Sequence, residues 1–136
     1  MSPGNRQTNI LEELAHAAEA LRAAEALVSL GLFRDAANRL YYAAYHATLA
    51  LLLTQDLEPA THSGVQTLLG LHFVKAGKIP ASMAATLRRL QGYREASDYT
   101  RGFVMPEHEC RTELAATRQY LDNVRAVLDQ DAGCSP

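Results

Sequence analysis

Apolar residues recur every three or four positions along most of this chain, and they alternate with polar ones over no stretch of strand length. Asn9, followed three residues later by Glu12, reads as a capping box that opens a first helix running to Gly31. Leu11, Leu14, Ala18, Leu21, Leu27 and Val28 fall mostly at helical steps along it. A second helix is expected from about Leu32 to Thr54, followed by the connecting loop "QDLEPATHSG". There Thr61 or Ser63 is placed to cap a third helix, which ends at "KAGK" with Gly77 suited to the left-handed position after a helix. Pro80 and Pro106 suit the first turns of a fourth helix and of a last one over roughly residues 106–129. That last helix is expected to bury Leu114, Tyr120, Leu121, Val124 and Leu128. The pattern predicts an all-α, antiparallel up-and-down bundle of about five helices. It forms one domain over residues 1–136, ordered from about 9 to 129, with loose tails at both ends.

Composition narrows this little. With 48% hydrophobic and 21% charged residues in 136, the chain fits one soluble globular domain. "ATLALLL" falls well short of the roughly 20 apolar residues that span a bilayer. "MSPGNRQTN" lacks the apolar core of a secretory signal, so no membrane and a cytoplasmic location are expected. Cys110 and Cys134 make no disulfide framework and read as free thiols. The net charge of −2 hides an uneven distribution. Residues 71–101 hold 6 Lys/Arg against 2 Asp/Glu, while the flanking segments hold 4 against 7 and 3 against 6. The strip from Lys75 to Arg101, with Lys78, Arg88 and Arg89, offers backbone contacts for a nucleic acid, or is simply a solvated face.

The chemistry concentrates in "NRLYYAAYH". Asp35, Arg39, Tyr42 and His46 follow steps of four, three and four, so they share one stripe of the second helix. Arg39 carries a permanent planar fork suited to phosphate, and His46 titrates near neutrality. Together they cover what metal-free RNA cleavage needs: a base for the ribose 2′-OH and a cation for the charge developing on phosphorus. Two turns separate them by about 10 Å along the axis. Either the arginine leans over, or a second copy of the helix supplies the partner. Ala36, Ala37, Ala43, Ala44 and Ala47 on the same helix permit close packing, and a symmetric dimer is the expectation. As isolated residues, the same Asp35 and Arg39 would form only a weak surface pair of roughly 0.3–0.5 kcal/mol.

In order along the chain, "GLFRDAANRLYYAAYHATLALLL", "THSGV", "FVKAGKIP" and "YREASDY" resemble the HEPN family (higher eukaryotes and prokaryotes nucleotide-binding) over about residues 10–125. Ribonucleases of that family carry an arginine, four to six residues, then a histidine, and Arg39 and His46 match with six between. The resemblance implies a helical bundle that dimerises through this helix, and metal-independent cleavage leaving a 2′,3′-cyclic phosphate. It also implies a toxin paired with a minimal nucleotidyltransferase. Two positions depart from the family pattern. Leu40 follows the arginine where a polar residue is common, with Asn38 preceding it, and Thr48 stands where modified members carry a tyrosine. The alternative is a non-catalytic module that binds a nucleotide or docks the nucleotidyltransferase in the same cleft.

Arg39 and His46 are thus the expected catalytic pair, with Asn38, Tyr42, Arg94 and Asp98 supporting. Arg94 and Asp98 are four apart and suited either to pair or to serve helix two, Asp98 by bracing Arg39 and Arg94 by facing the cleft. His62 suits a cap better than the cleft, and Tyr41 and Tyr45 suit the core or an interface. Glu13 and His16 in "ELAH" have the spacing of half a di-iron site, but the second copy that such a site requires is missing. No metal or cofactor is expected, and no phosphate loop, zinc quartet or nucleophile elbow is found.

Overall fold

The computed structural model describes residues 2–133, with side chains described as far as 130. Cys134 therefore lies outside the described residues, while Cys110 is a free, buried thiol. Five α-helices are present among the described residues: α1 (Pro3–Ser29), α2 (Phe33–Leu53), α3 (His62–Leu69), α4 (Ala81–Tyr99) and α5 (Glu107–Gly133). The all-α bundle expected from the periodicity is the observed fold.

Local chemistry sets the helix ends. α1 begins at Pro3, ahead of the expected Asn9, because the Ser2 hydroxyl accepts the Asn5 N–H at 3.2 Å and Pro3 is pre-shaped for a first turn. Its opening turns are solvated, so the apolar pattern that first appears near Ile10 could not reveal them. Arg6 in those turns also pairs with Asp56 in the link after α2. Gly31 at φ 75° closes the α1–α2 turn, and Gly77 at φ 76° takes its expected left-handed place. Between α3 and that glycine the chain widens into a π-helical turn, Gly70–Val74, which nothing in the apolar spacing announces. Pro80 and Pro106 each sit one residue ahead of their helix rather than inside the first turn. The Pro106 carbonyl still accepts the Cys110 N–H at 2.9 Å.

α2 is the central element and packs against α1, α3, α4 and α5. Leu40, Tyr41, Leu51 and Leu52 are buried on it, and Leu40 lies at 0% exposure. The α1–α2 seam is built of small residues. Ala17, Ala20 and Ala24 on one side and Ala36, Ala43, Ala44 and Ala47 on the other belong to one core cluster. This corrects two expectations. Leu11 is exposed, and the alanines rather than the leucines form the inner stripe of α1, because methyl side chains let two backbones approach most closely. The alanines of α2 are likewise consumed inside the chain, so they offer no surface to a second copy. From α5, the Tyr120 hydroxyl meets Thr48 Oγ1 at 2.5 Å in the core. Thr48, also bonded to the Ala44 carbonyl at 2.7 Å, faces inward and away from the polar stripe.

Candidate active site in the α1–α2 groove

The steps of four and three that align Arg39, Tyr42 and His46 place all three at the edge of the α1–α2 seam. With His16, Glu19, Ala20 and Ala23 of α1 they line a cavity of about 460 Å³. The axial offset between Arg39 and His46 is shortened by a lean: the Arg39 guanidinium lies 4.9 Å from the centre of the Tyr42 ring. That ring is in turn 6.4 Å from the His46 ring. One chain therefore brings both expected catalytic residues to one cavity.

Each is held by a partner. Asn38 Oδ1 accepts Arg39 Nε–H at 3.0 Å and Nη2–H at 2.6 Å. A guanidinium has five N–H donors, so three remain for a ligand. The Asn38 amide nitrogen donates to both oxygens of Asp98 at 3.1 and 3.2 Å. Asp98 also receives Arg94 Nη1 at a long 3.4 Å. Asp98 thus supports Arg39 through Asn38 rather than by touching it. Arg94 is buried, with its guanidinium 5.1 Å from the centre of the Tyr41 ring. Burial opposes its charge, and contact with Tyr99 and the neighbouring tyrosines more than offsets it.

For His46 the partner is Glu13 on α1, with Nδ1 to Oε2 at 2.7 Å and both side chains about one-quarter exposed (27% and 24%). A carboxylate only accepts, so Nδ1 carries the proton in this contact, and in the neutral imidazole the lone pair then lies on Nε2. His16, one turn further along α1, stands with its ring centre 5.2 Å from that of His46. Glu13 and His16 are the residues the sequence could not assign. Their shared helix face is readable, but a contact 33 residues away in the chain, from Glu13 to His46, is not.

His62 caps nothing with its side chain. Thr61 Oγ1 takes the capping role, accepting the Gly64 N–H at 2.9 Å. The His62 ring packs 4.6 Å from Tyr45, and its Nδ1 meets the Tyr41 hydroxyl at 2.6 Å. Burial and then Arg94 hold His62 below the usual imidazole range, while burial raises Tyr41. The basic strip is not continuous either, because Arg89 is bound by Glu113 of α5 through contacts of 2.5 and 2.9 Å. No helix among the described residues is long and apolar enough to cross a membrane.

Residues 11–129 match the HEPN domain family. A Methanocaldococcus jannaschii protein named "Putative toxin MJ0605" is 34% identical over 114 residues, covering 84% of each chain. A second protein of that organism, "Putative toxin MJ0142", is 28% identical over 119 residues, 87% of this chain and 81% of its own. A Thermotoga maritima UPF0332 protein is 28% identical over 126 residues, 92% of this chain and 96% of its own.

Proposed function

The chain belongs to the HEPN family, and from that premise we propose that it is a metal-independent endoribonuclease and the toxin of a toxin–antitoxin pair. The observation that carries this reading is the shared cavity. Arg39, leaning over Tyr42, and His46, oriented by Glu13, line one cavity of about 460 Å³.

The chemistry follows from that placement. His46 Nε2 takes the proton of a ribose 2′-OH as that oxygen attacks the adjacent phosphorus. The free N–H groups of Arg39 bind the non-bridging oxygens and stabilise the charge that grows on them. The bond to the 5′-oxygen breaks, leaving a 2′,3′-cyclic phosphate and a 5′-hydroxyl. Glu13 keeps the imidazole in the tautomer that can act as base. With the alanine face of α2 consumed in the core, a homodimer would appose two copies along the exposed groove edge. A minimal nucleotidyltransferase, expected from the family resemblance, would then neutralise the toxin by covering that groove, in the cytoplasm where its RNA lies.

The test is incubation of the purified protein with RNA and with the matching DNA in EDTA. Wild type cleaves RNA only, because DNA lacks the 2′-hydroxyl. His46→Ala loses cleavage, by about 10² to 10⁴ in rate. Arg39→Lys recovers little, since an ammonium keeps charge but not the fork. Wild-type and His46→Ala proteins that leave RNA equally intact would overturn the reading. The groove would then be a docking surface.

A further inference from the structure

We infer that His16 is a second catalytic histidine: the general acid that protonates the 5′-oxygen as it leaves. The inference rests on the ribonuclease reading and extends it. In an in-line displacement at phosphorus the entering and leaving oxygens lie on opposite sides, and one imidazole cannot serve both at once. The groove holds two. His16 and His46 line the same cavity as Arg39, one from each helix. Their ring centres are 5.2 Å apart with planes tilted by 37°, close to ring contact, so the exposed His16 must turn outward to admit the phosphoryl group between them.

The two histidines differ in the way this division of labour needs. His46 is half-buried and has Nδ1 committed to Glu13, which fixes its ring. His16 is exposed, free to turn toward a leaving oxygen and in contact with water that can recharge it. The charged and titratable groups around His16 are Glu13 and Glu19, one turn before and after it on α1, with Arg39, Tyr42 and His46 facing from α2. Glu13 is engaged by His46, while Glu19 stands at the rim of the cavity.

The step balances. The 2′-OH proton passes to His46 Nε2 as the 2′-oxygen–phosphorus bond forms. The phosphorus–5′-oxygen bond breaks, and the His16 imidazolium proton passes to that oxygen. The net result is one proton moved from His16 to His46 and returned through solvent.

A substrate whose leaving oxygen is replaced by sulfur isolates this role, because a thiolate departs without protonation. On the all-oxygen RNA dinucleotide, His16→Ala is expected to be slower than wild type by about 10² to 10⁴. On the 5′-thio dinucleotide it should return to within about tenfold of wild type, whereas His46→Ala stays impaired on both. His16 is exposed, so the variant keeps its fold, and thermal melts check this. His16→Ala cleaving the oxygen substrate at the wild-type rate, as it would if the acid came from a second copy, overturns the assignment. So does equal impairment on both substrates, which would make His16 a structural or binding residue. A wild type that cleaves neither substrate removes the ribonuclease reading itself, an outcome distinct from the other two.

Discussion

Asn38 joins a cation to an anion, and deleting its amide measures what that joint does. Asn38→Ala removes the two contacts to Arg39, at 3.0 and 2.6 Å, and the two to Asp98, at 3.1 and 3.2 Å. Hydrogen bonds to charged groups contribute about 1.5–3 kcal/mol when sheltered. The Asp98 side is exposed, so screening reduces it to about 0.5 kcal/mol. The variant should therefore lose about 1–2 kcal/mol of stability and remain folded. The larger effect falls on function. An unbraced arginine must be ordered by the substrate, at about 0.5–1.5 kcal/mol for one flexible side chain. That corresponds to a drop of about 2- to 12-fold in kcat/KM. Asp98→Ala acts through the same joint, so the double variant should be scarcely worse than Asn38→Ala alone. Initial rates on RNA and urea denaturation of the four proteins complete the cycle. Effects that add within about 0.3 kcal/mol would show that Asp98 does not reach Arg39 through Asn38. The reasoning fails equally if Asn38→Ala cleaves at the wild-type rate.

Three further outcomes are expected. Glu13→Gln should lower kcat by about 10- to 100-fold with KM nearly unchanged, because it weakens the hold on the base without touching phosphate contacts; a change confined to KM would count against it. Stability should fall as pH drops below about 6.5, since His62 is held neutral in the fold and the unfolded chain then binds more protons, while above that pH its contribution is constant. His62→Gln should flatten this dependence in denaturation at pH 5 and 7. Tyr120→Phe should cost about 1 kcal/mol of stability and leave cleavage rates unaltered, because Thr48 keeps its bond to the Ala44 carbonyl; altered cleavage in a folded variant would contradict its separation from the groove.

What the sequence disclosed was what one helix can hold. Arg39, Tyr42 and His46 are legible as a stripe because helical spacing alone aligns them, and the bundle is legible because its apolar steps never alternate. Asn38 was marked only as the neighbour of Arg39; its bridging role depends on α4 arriving with Asp98. Glu13 and His16 are legible only as half of a metal-site spacing whose second copy the sequence lacks, and that α2 opposes the face they share is a matter of packing. The start of α1 went unread because the Ser2–Pro3 signal lies ahead of any apolar periodicity. The π-helical turn depends on how α3 closes toward Gly77, which no spacing rule encodes.

Ala20 and Ala23 form part of the groove wall, and the first of them also belongs to the methyl-lined seam between α1 and α2. On the proposed reading, the aperture over the bound phosphate is therefore set by side chains that take no part in the reaction. Enlarging Ala23 would narrow the opening and leave the arginine, the histidines and their partners in place. Enlarging Ala20 would push the two helices apart and widen it, at a cost in packing. If the chain cuts RNA as proposed, which RNA shapes gain entry and how the bond is cut become separable traits, carried by different residues. A lineage, or an engineer, can retune the first by a single carbon at a time without rebuilding the second.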